Sequence, residues 1–224
     1  MTSSVKIRKA KLKDSAQIAE IQRQAFHETI QHYFGSGSSS KKQVRTFTDD
    51  LYKLVVKSLK DEVLVAEVDG KVVGDIMVPY DIRRSRNKVM GYRVFYLVMA
   101  RALLTMAAMS RDNRKILMSD RGFMQELYRT DFGKEVHSRV FNIAVLPEYQ
   151  GRGIGKVLMK KGLQYLFNEK GAHAVALNVM KDNGNALGIY QSFGFREVRR
   201  INNSLGEWIV MCLDREVWLT SKKS

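Results

Sequence analysis

The stretch Gln150-Gly151-Arg152-Gly153-Ile154-Gly155 lies between an apolar run and a helical pattern, and it has the makings of an anion site. Glycines let the backbone approach a phosphate closely, successive N–H groups can converge on it, and a helix N-terminus adds about half a positive charge. Arg152 and Lys156 bring formal charge to the same place. Two other kinds of phosphate loop fit less well. A nucleoside-triphosphate loop needs a hydroxyl after Gly-Lys to hold magnesium, and here Val157 follows Gly155-Lys156. The dinucleotide fingerprint spaces its glycines as Gly-x-Gly-x-x-Gly, whereas these stand at 151, 153 and 155; only Asp182, beyond the next strand, could imitate its ribose-binding acid.

Such a loop works only if strands and helices hold it in place. Val140 to Leu146 reads as the strand before it, and Gly155 to Lys170 as the helix after it, with Ile154, Leu158, Tyr165 and Leu166 as the apolar stripe and Gly171 placed to end it. Ala174 to Met180 predicts a further strand, Asn183 to Ser192 a short helix, and Phe195 to Ile201 and Glu207 to Leu213 two closing strands. Upstream, Val5 to Lys9 can form a strand, and Asp14 with Gln17 resembles a capping box opening a helix that carries Ile18, Ile21, Ala25 and Phe26 on one face. Gly35 to Lys42 reads as a flexible polar loop before a helix from about Val44 to Ser58. Val63 to Val68 and Lys71 to Val78, joined by Asp69-Gly70, predict a hairpin.

From about residue 81 to 135 the pattern breaks. A basic patch (Arg83, Arg84, Arg86, Lys88, Arg93) leads into an apolar run from Val94 to Met109. As a helix that run would span about 24 Å against a hydrocarbon core of about 30 Å, and Arg101 at its middle would cost about 2.5 to 3.5 kcal/mol in lipid. It is expected to be a buried helix, a lid or a subunit contact, with a membrane-surface helix as the alternative.

A chain of 224 residues that is 45% hydrophobic suits one domain with a real core. The single cysteine, Cys212, excludes an intramolecular disulfide, and the scattered histidines suggest no metal site. The charged N-terminus has no apolar segment of the signal-peptide kind, so a cytoplasmic location is expected. A formal charge of +15 favours anionic partners without choosing among phosphorylated cofactors, acidic substrates, nucleic acid and lipid.

Gln150-x-x-Gly153-x-Gly155 resembles the Gln/Arg-x-x-Gly-x-Gly/Ala pyrophosphate loop of the GNAT N-acetyltransferases. Ile143-Ala144-Val145-Leu146-Pro147-Glu148-Tyr149 is similar to that family's fourth strand and its Pro-Glu-Tyr turn. Asn183-x-x-Ala186-x-x-x-Tyr190 followed by Gly194-Phe195 matches its last block. The match is close over about residues 140 to 196, and residues 5 to 80 agree loosely with the family's N-terminal half.

The resemblance implies an α/β GNAT fold, a mixed and mostly antiparallel sheet flanked by helices, with residues 81–135 inserted between the third and fourth strands of one domain spanning 1–224. It implies an acetyl-CoA-dependent N-acetyltransferase acting on a primary amine by direct attack on the thioester. Ile143, Ala144 and Val145 would pair with the pantetheine arm in a gap between the fourth and fifth strands. Gln150, Gly151, Arg152, Gly153, Ile154, Gly155 and Lys156 would hold the pyrophosphate, Asn183 would hydrogen-bond near the pantetheine or thioester end, and Tyr190 would lie beside the sulfur. A lysine-like amine, with a pKa near 10.4, is about 0.04% neutral at pH 7 and needs a base, while a tyrosine near 10 can protonate a thiolate whose conjugate acid lies near 8.5. Glu135 and His137 are candidate bases and Asn142 could position a water, with His27 and Glu28 as further candidates facing the acceptor; Tyr190 is the candidate acid. The expected partners are acetyl-CoA and a small-molecule or protein amine, with a homodimer left open. A CoA-binding sensor without turnover, and a basic nucleic-acid or membrane-surface protein on this fold, are the rival readings.

Overall fold

The computed structural model describes residues 4–35, 38–91, 94–126, 128–132 and 134–220. β1 (Lys6–Lys9) pairs antiparallel with β2 (Val63–Val68), and β2 with β3 (Lys71–Met77). Asp69 and Gly70, with φ of 49° and 79°, make the tight turn that the Asp-Gly pair predicts. The β-branched residues of β2 and β3 are buried on both faces, which is why these strands read as apolar runs rather than alternating ones.

Between β1 and β2 lie α1 (Ser15–Ala25), α2 (His27–Phe34) and α3 (Ser38–Ser58). The capping box expected at Asp14 does not form. The Asp14 carboxylate instead accepts the Lys11 N–H at 2.7 Å and a two-pronged bond from Arg8 at 2.6 and 3.0 Å, closing the preceding 3-10 turn. Nor is the whole of 35–42 a loop, since α3 already starts at Ser38; Ser36 and Gly37 lie outside the described residues. The packed face further along, with Val44, Leu54 and Val56 buried, stabilises a helix whose first turn is polar.

Four helices follow β3: α4 (Ile82–Met90), α5 (Val94–Ala108), α6 (Arg111–Ser119) and α7 (Arg121–Glu126). The Asp81 side chain caps α4 by accepting from the N–H groups of Arg83 and Arg84 at 2.9 and 3.0 Å. The apolar run is helical, but only one side of α5 is buried, at Val98 and Thr105, where Arg101 pairs with Asp50 of α3. Arg93 of the basic patch lies outside the described residues.

The strand expected from Val140 to Leu146 is found as the shorter β5 (Asn142–Val145); just ahead of it β4 (Ser138–Arg139), which that reading does not include, belongs to the other sheet. β5 completes the antiparallel sheet in the order β1-β2-β3-β5. After it come α8 (Ile154–Gln164), a π-helical turn at Tyr165–Glu169, β6 (Ala174–Met180), α9 (Gly184–Ser192), β7 (Arg196–Asn203), β8 (Gly206–Asp214) and α10 (Arg215–Thr220). β4 lies parallel to β6 in the second sheet, ordered β4-β6-β8-β7, whose other pairings are antiparallel. Helix α8 lies on the first sheet with Leu158, Met159 and Leu163 fully buried, a burial that stabilises by about 1.5 to 3 kcal/mol per side chain.

Candidate active site

One bulge decides the shape of the site. Phe141 donates its N–H to the Met77 carbonyl at 2.9 Å, yet the β3–β5 register sets Asn142 opposite the same Met77. Two residues facing one is a β-bulge, which bends a strand and changes which way its backbone groups point. Before the bulge, the Val140 N–H still reaches the Ala176 carbonyl of β6 at 2.9 Å; beyond it β5 pairs with β3 alone. The two sheets part there, and a gap opens between β5 and β6.

The parity of the ladder shows what faces that gap. Leu146 donates to the Val73 carbonyl at 2.8 Å, so Ala144, two residues earlier, also turns its backbone groups toward β3. Ile143 and Val145 therefore turn theirs into the gap. The Val145 carbonyl is taken there by Gln150 Nε2 at 2.9 Å, which ties the start of the glycine loop to the strand.

Leu146 leads into a 3-10 turn at Pro147–Tyr149, and the chain then passes through Gly151 and Gly153, whose φ values of 75° and 78° only glycine adopts without strain. A Cβ at Gly151, Gly153 or Gly155 would meet no atom within 4 Å and would stand in open cleft. Gly153 caps α8, so the unpaired N–H groups of the first turn and the Lys156 side chain face the same space.

The resulting cleft, of about 610 Å³, is walled by Ile143, Ala144 and Val145 on one side, by the loop and α8 at one end, and by α9 on the other side. Of the residues expected to bind a cofactor, the structure brings Ile143, Ala144, Val145, Gln150, Gly151, Gly153, Ile154, Gly155, Lys156, Asn183 and Tyr190 together around it. Arg152 does not line it. Its guanidinium donates to the Glu148 carbonyl at 2.8 Å and lies 5.0 Å from the Tyr149 ring centre. Asn183 caps α9, its Oδ1 accepting the Ala186 N–H at 3.1 Å.

Tyr190 on α9 is 8% exposed, with its ring 6.1 Å from that of Phe195, and burial pushes its phenol up to about 12. Glu135 and His137 are not part of the cleft wall; they precede β4, and their side chains meet each other at 3.3 Å. His27 and Glu28 are exposed on α2 and do not line it either. Asn142 sits at the bulge with a buried Oδ1 that has no hydrogen-bond partner.

Two features escape a reading of the sequence. Gly184, Ala186 and Gly188 face the cleft from α9, and the clue is a short helix made largely of small residues. Asp75, almost fully buried on β3 opposite Ala144, takes two hydrogen bonds from Gln22 and has its carboxyl raised to about 7 by burial. Its signal is an acid amid the apolar run Val72 to Val78.

The family model for the acetyltransferase (GNAT) family matches residues 23–195, more than two thirds of the chain. The chain belongs to the GNAT acetyltransferase family. Mycothiol acetyltransferase of an Arthrobacter species is 41% identical over 63 residues, 28% of this chain and 19% of the relative, so the chain spans about a fifth of the length of such relatives. N-alpha-acetyltransferase of Sulfurisphaera tokodaii is 27% identical over 194 residues, covering 87% of this chain and 81% of the relative. The crystal structure of SsHAT superimposes with a TM-score of 0.65 at 20% identity, over 95% of this chain and 98% of that one, a likeness of fold. The GNAT fold expected from residues 140 to 196 is thus present, with the mixed, mostly antiparallel sheets and flanking helices that it implies.

Proposed function

We propose that the chain is one GNAT domain, with residues 81–135 as an insertion, that binds acetyl-CoA in the cleft and transfers the acetyl group to a primary amine. The observation that carries this reading is the bulge at Phe141–Asn142. It frees the edge of β5 at the point where the glycine loop and the α8 N-terminus form an anion cradle. The residues fit the cosubstrate on three grounds: the unpaired β5 edge suits the amides of a pantetheine arm, the cradle has the room that a Cβ would take, and Lys156 supplies a cation.

Acetyl-CoA supplies an activated acyl group on a thiol leaving group. The N–H groups of Ile143 and Val145 hold its arm as an added strand and are available to negative charge building on the acyl oxygen. Gly151 to Lys156 hold the phosphates. Tyr190, kept protonated by burial, gives a hydrogen bond and then a proton to the departing sulfur, and its phenolate is reprotonated by the proton that the attacking nitrogen releases.

For the acceptor we infer an amine that needs little help to lose its proton. A protein α-amine, with a pKa of about 7.7 to 8.0, is roughly one-seventh neutral at pH 7, some hundreds of times more than a lysine amine. The similarity to an N-alpha-acetyltransferase over 81% of that relative supports the same class of acceptor. Peptides with free N-termini, incubated with acetyl-CoA and assayed for released thiol, should be turned over faster than polyamines or Nα-blocked lysine peptides. Thiol release with none of these amines, despite cosubstrate binding, would favour a CoA-binding module without turnover.

A further inference from the structure

Helix α5 points its apolar side the wrong way for a core helix. Tyr96, Leu103 and Leu104 are 73, 63 and 67% exposed, and with the exposed Ala100 and Ala107 they fall at i, i+4, i+7, i+8 and i+11, a single face. Leu97 and Met99, also exposed, widen the stripe. The opposite face is fixed to the fold by buried Val98 and Thr105 and by the Arg101–Asp50 ion pair, so this orientation is set by packing on both sides of Arg101. A contiguous apolar face of this kind marks a surface that something covers.

The charges beside it say what. Between residues 81 and 121 the chain carries ten lysines and arginines against three aspartates. On the helices before and after α5, Arg83, Arg84, Arg86, Lys88, Arg111 and Lys115 are all exposed. A second copy docked by a two-fold axis would set this positive surface against itself, whereas an anionic lipid headgroup layer complements it. Alone, α5 is too short to span: it has 15 residues, about 22 Å of helix against about 30 Å of hydrocarbon, and α4 and α5 pass as a pair only with a bend of 89° between them. Among the described residues no single helix is long and apolar enough to cross a membrane.

We propose that the outer face of α5 docks on an anionic membrane surface, with Tyr96, Leu97, Leu103 and Leu104 entering the headgroup–acyl boundary and the basic residues of α4 and α6 meeting the lipid phosphates. This is the arrangement of an interfacial amphipathic helix, held rigidly by a folded domain.

The test is sedimentation of the full chain with vesicles of phosphatidylglycerol and phosphatidylcholine, and with phosphatidylcholine alone, at 0.1 and 0.5 M salt. The chain should sediment with the anionic vesicles at low salt, with a partition coefficient at least about tenfold above that on neutral ones, and the difference should collapse at high salt. L103E/L104E changes two solvent-facing side chains, and far-ultraviolet circular dichroism checks that it is folded; it should lower anionic-vesicle binding at least about tenfold. L103S/L104S, which adds no charge, should lower it in the same direction. No sedimentation with anionic vesicles would overturn the proposal. So would undiminished binding by both double variants, or a dimer in sedimentation velocity that L103E/L104E dissociates, since a second copy would then be what covers the stripe.

Discussion

Gln22 Nε2 donates to both carboxylate oxygens of Asp75, at 3.0 and 2.8 Å, on the face of β3 turned away from α8. The neighbouring Gly74 faces Leu158 of α8, and side chains alternate along a strand, so Asp75 is directed at α1 and α3. Tyr52 of α3 is half-buried near it, its phenol raised by desolvation and by the Asp75 charge, with Asn142 of β5 also in reach of the phenol.

This carboxyl makes stability depend on pH in a direction opposite to that of a salt-bridged acid. Its value in the folded state, about 7, lies above the 3.8 of an unperturbed aspartate. The neutral form therefore carries the stability, which is full below about pH 4 and is lost as pH rises to about 7, by a few kcal/mol in total. Asp75→Asn should remove this component and be more stable than the parent at pH 8 in urea unfolding. An unchanged pH dependence would show that Asp75 does not titrate in this window.

Gly74 stands directly behind the cleft wall, opposite Val145. A Cβ there would lie 2.9 Å from the Ala144 carbonyl oxygen, a backbone atom that can yield only by moving β5. Gly74→Ala should cost about 1 to 3 kcal/mol of stability and weaken acetyl-CoA binding together, since one displacement causes both. Stability lost with affinity intact, by urea unfolding and calorimetry, would show that β5 does not hold the cosubstrate.

Tyr190→Phe keeps the ring against Phe195 and removes only the hydroxyl. Stability and acetyl-CoA affinity should change little, while the single-turnover rate should fall about 10²- to 10⁴-fold. With its phenol near 12, Tyr190 stays protonated across ordinary assay conditions, so the parent's rate should show no alkaline loss from this group below about pH 10. Wild-type single-turnover rates in the folded variant would reduce Tyr190 to a packing residue.

Much of this was legible in the sequence because it rests on local rules. The glycine loop, the Asp69-Gly70 turn and the helix that Gly171 ends are each decided within a few residues, and all three are found. The short β4 ahead of β5, and the bulge that follows it, were not legible. The bulge depends on which carbonyls of β3 and β6 the chain meets, those of Met77 and Ala176, which lie 64 residues from Phe141 and 36 from Val140 in sequence. The buried Gln22–Asp75 pair joins α1 to β3 across 53 residues and leaves only an out-of-place acid as its trace. The apolar run from Val94 predicts a helix, as a buried element, a lid, a subunit contact or a membrane-surface helix; which of its sides is covered depends on the packing of Val98, Thr105 and Arg101 against the rest of the fold, which no local pattern records.

The cleft between β5 and α9 is most directly tested by isothermal titration calorimetry of acetyl-CoA into the parent chain and into Gly153→Asp. The parent should bind at a single site, and at 100 times its dissociation constant the ligand should add about 2.7 kcal/mol to stability. Gly153 has a φ of 78° and caps α8, so an aspartate there brings both backbone strain and a negative charge into the cradle, and binding should be lost while the fold is kept. No heat of binding with the parent at millimolar acetyl-CoA, or undiminished affinity in folded Gly153→Asp, would contradict the assignment of this cleft.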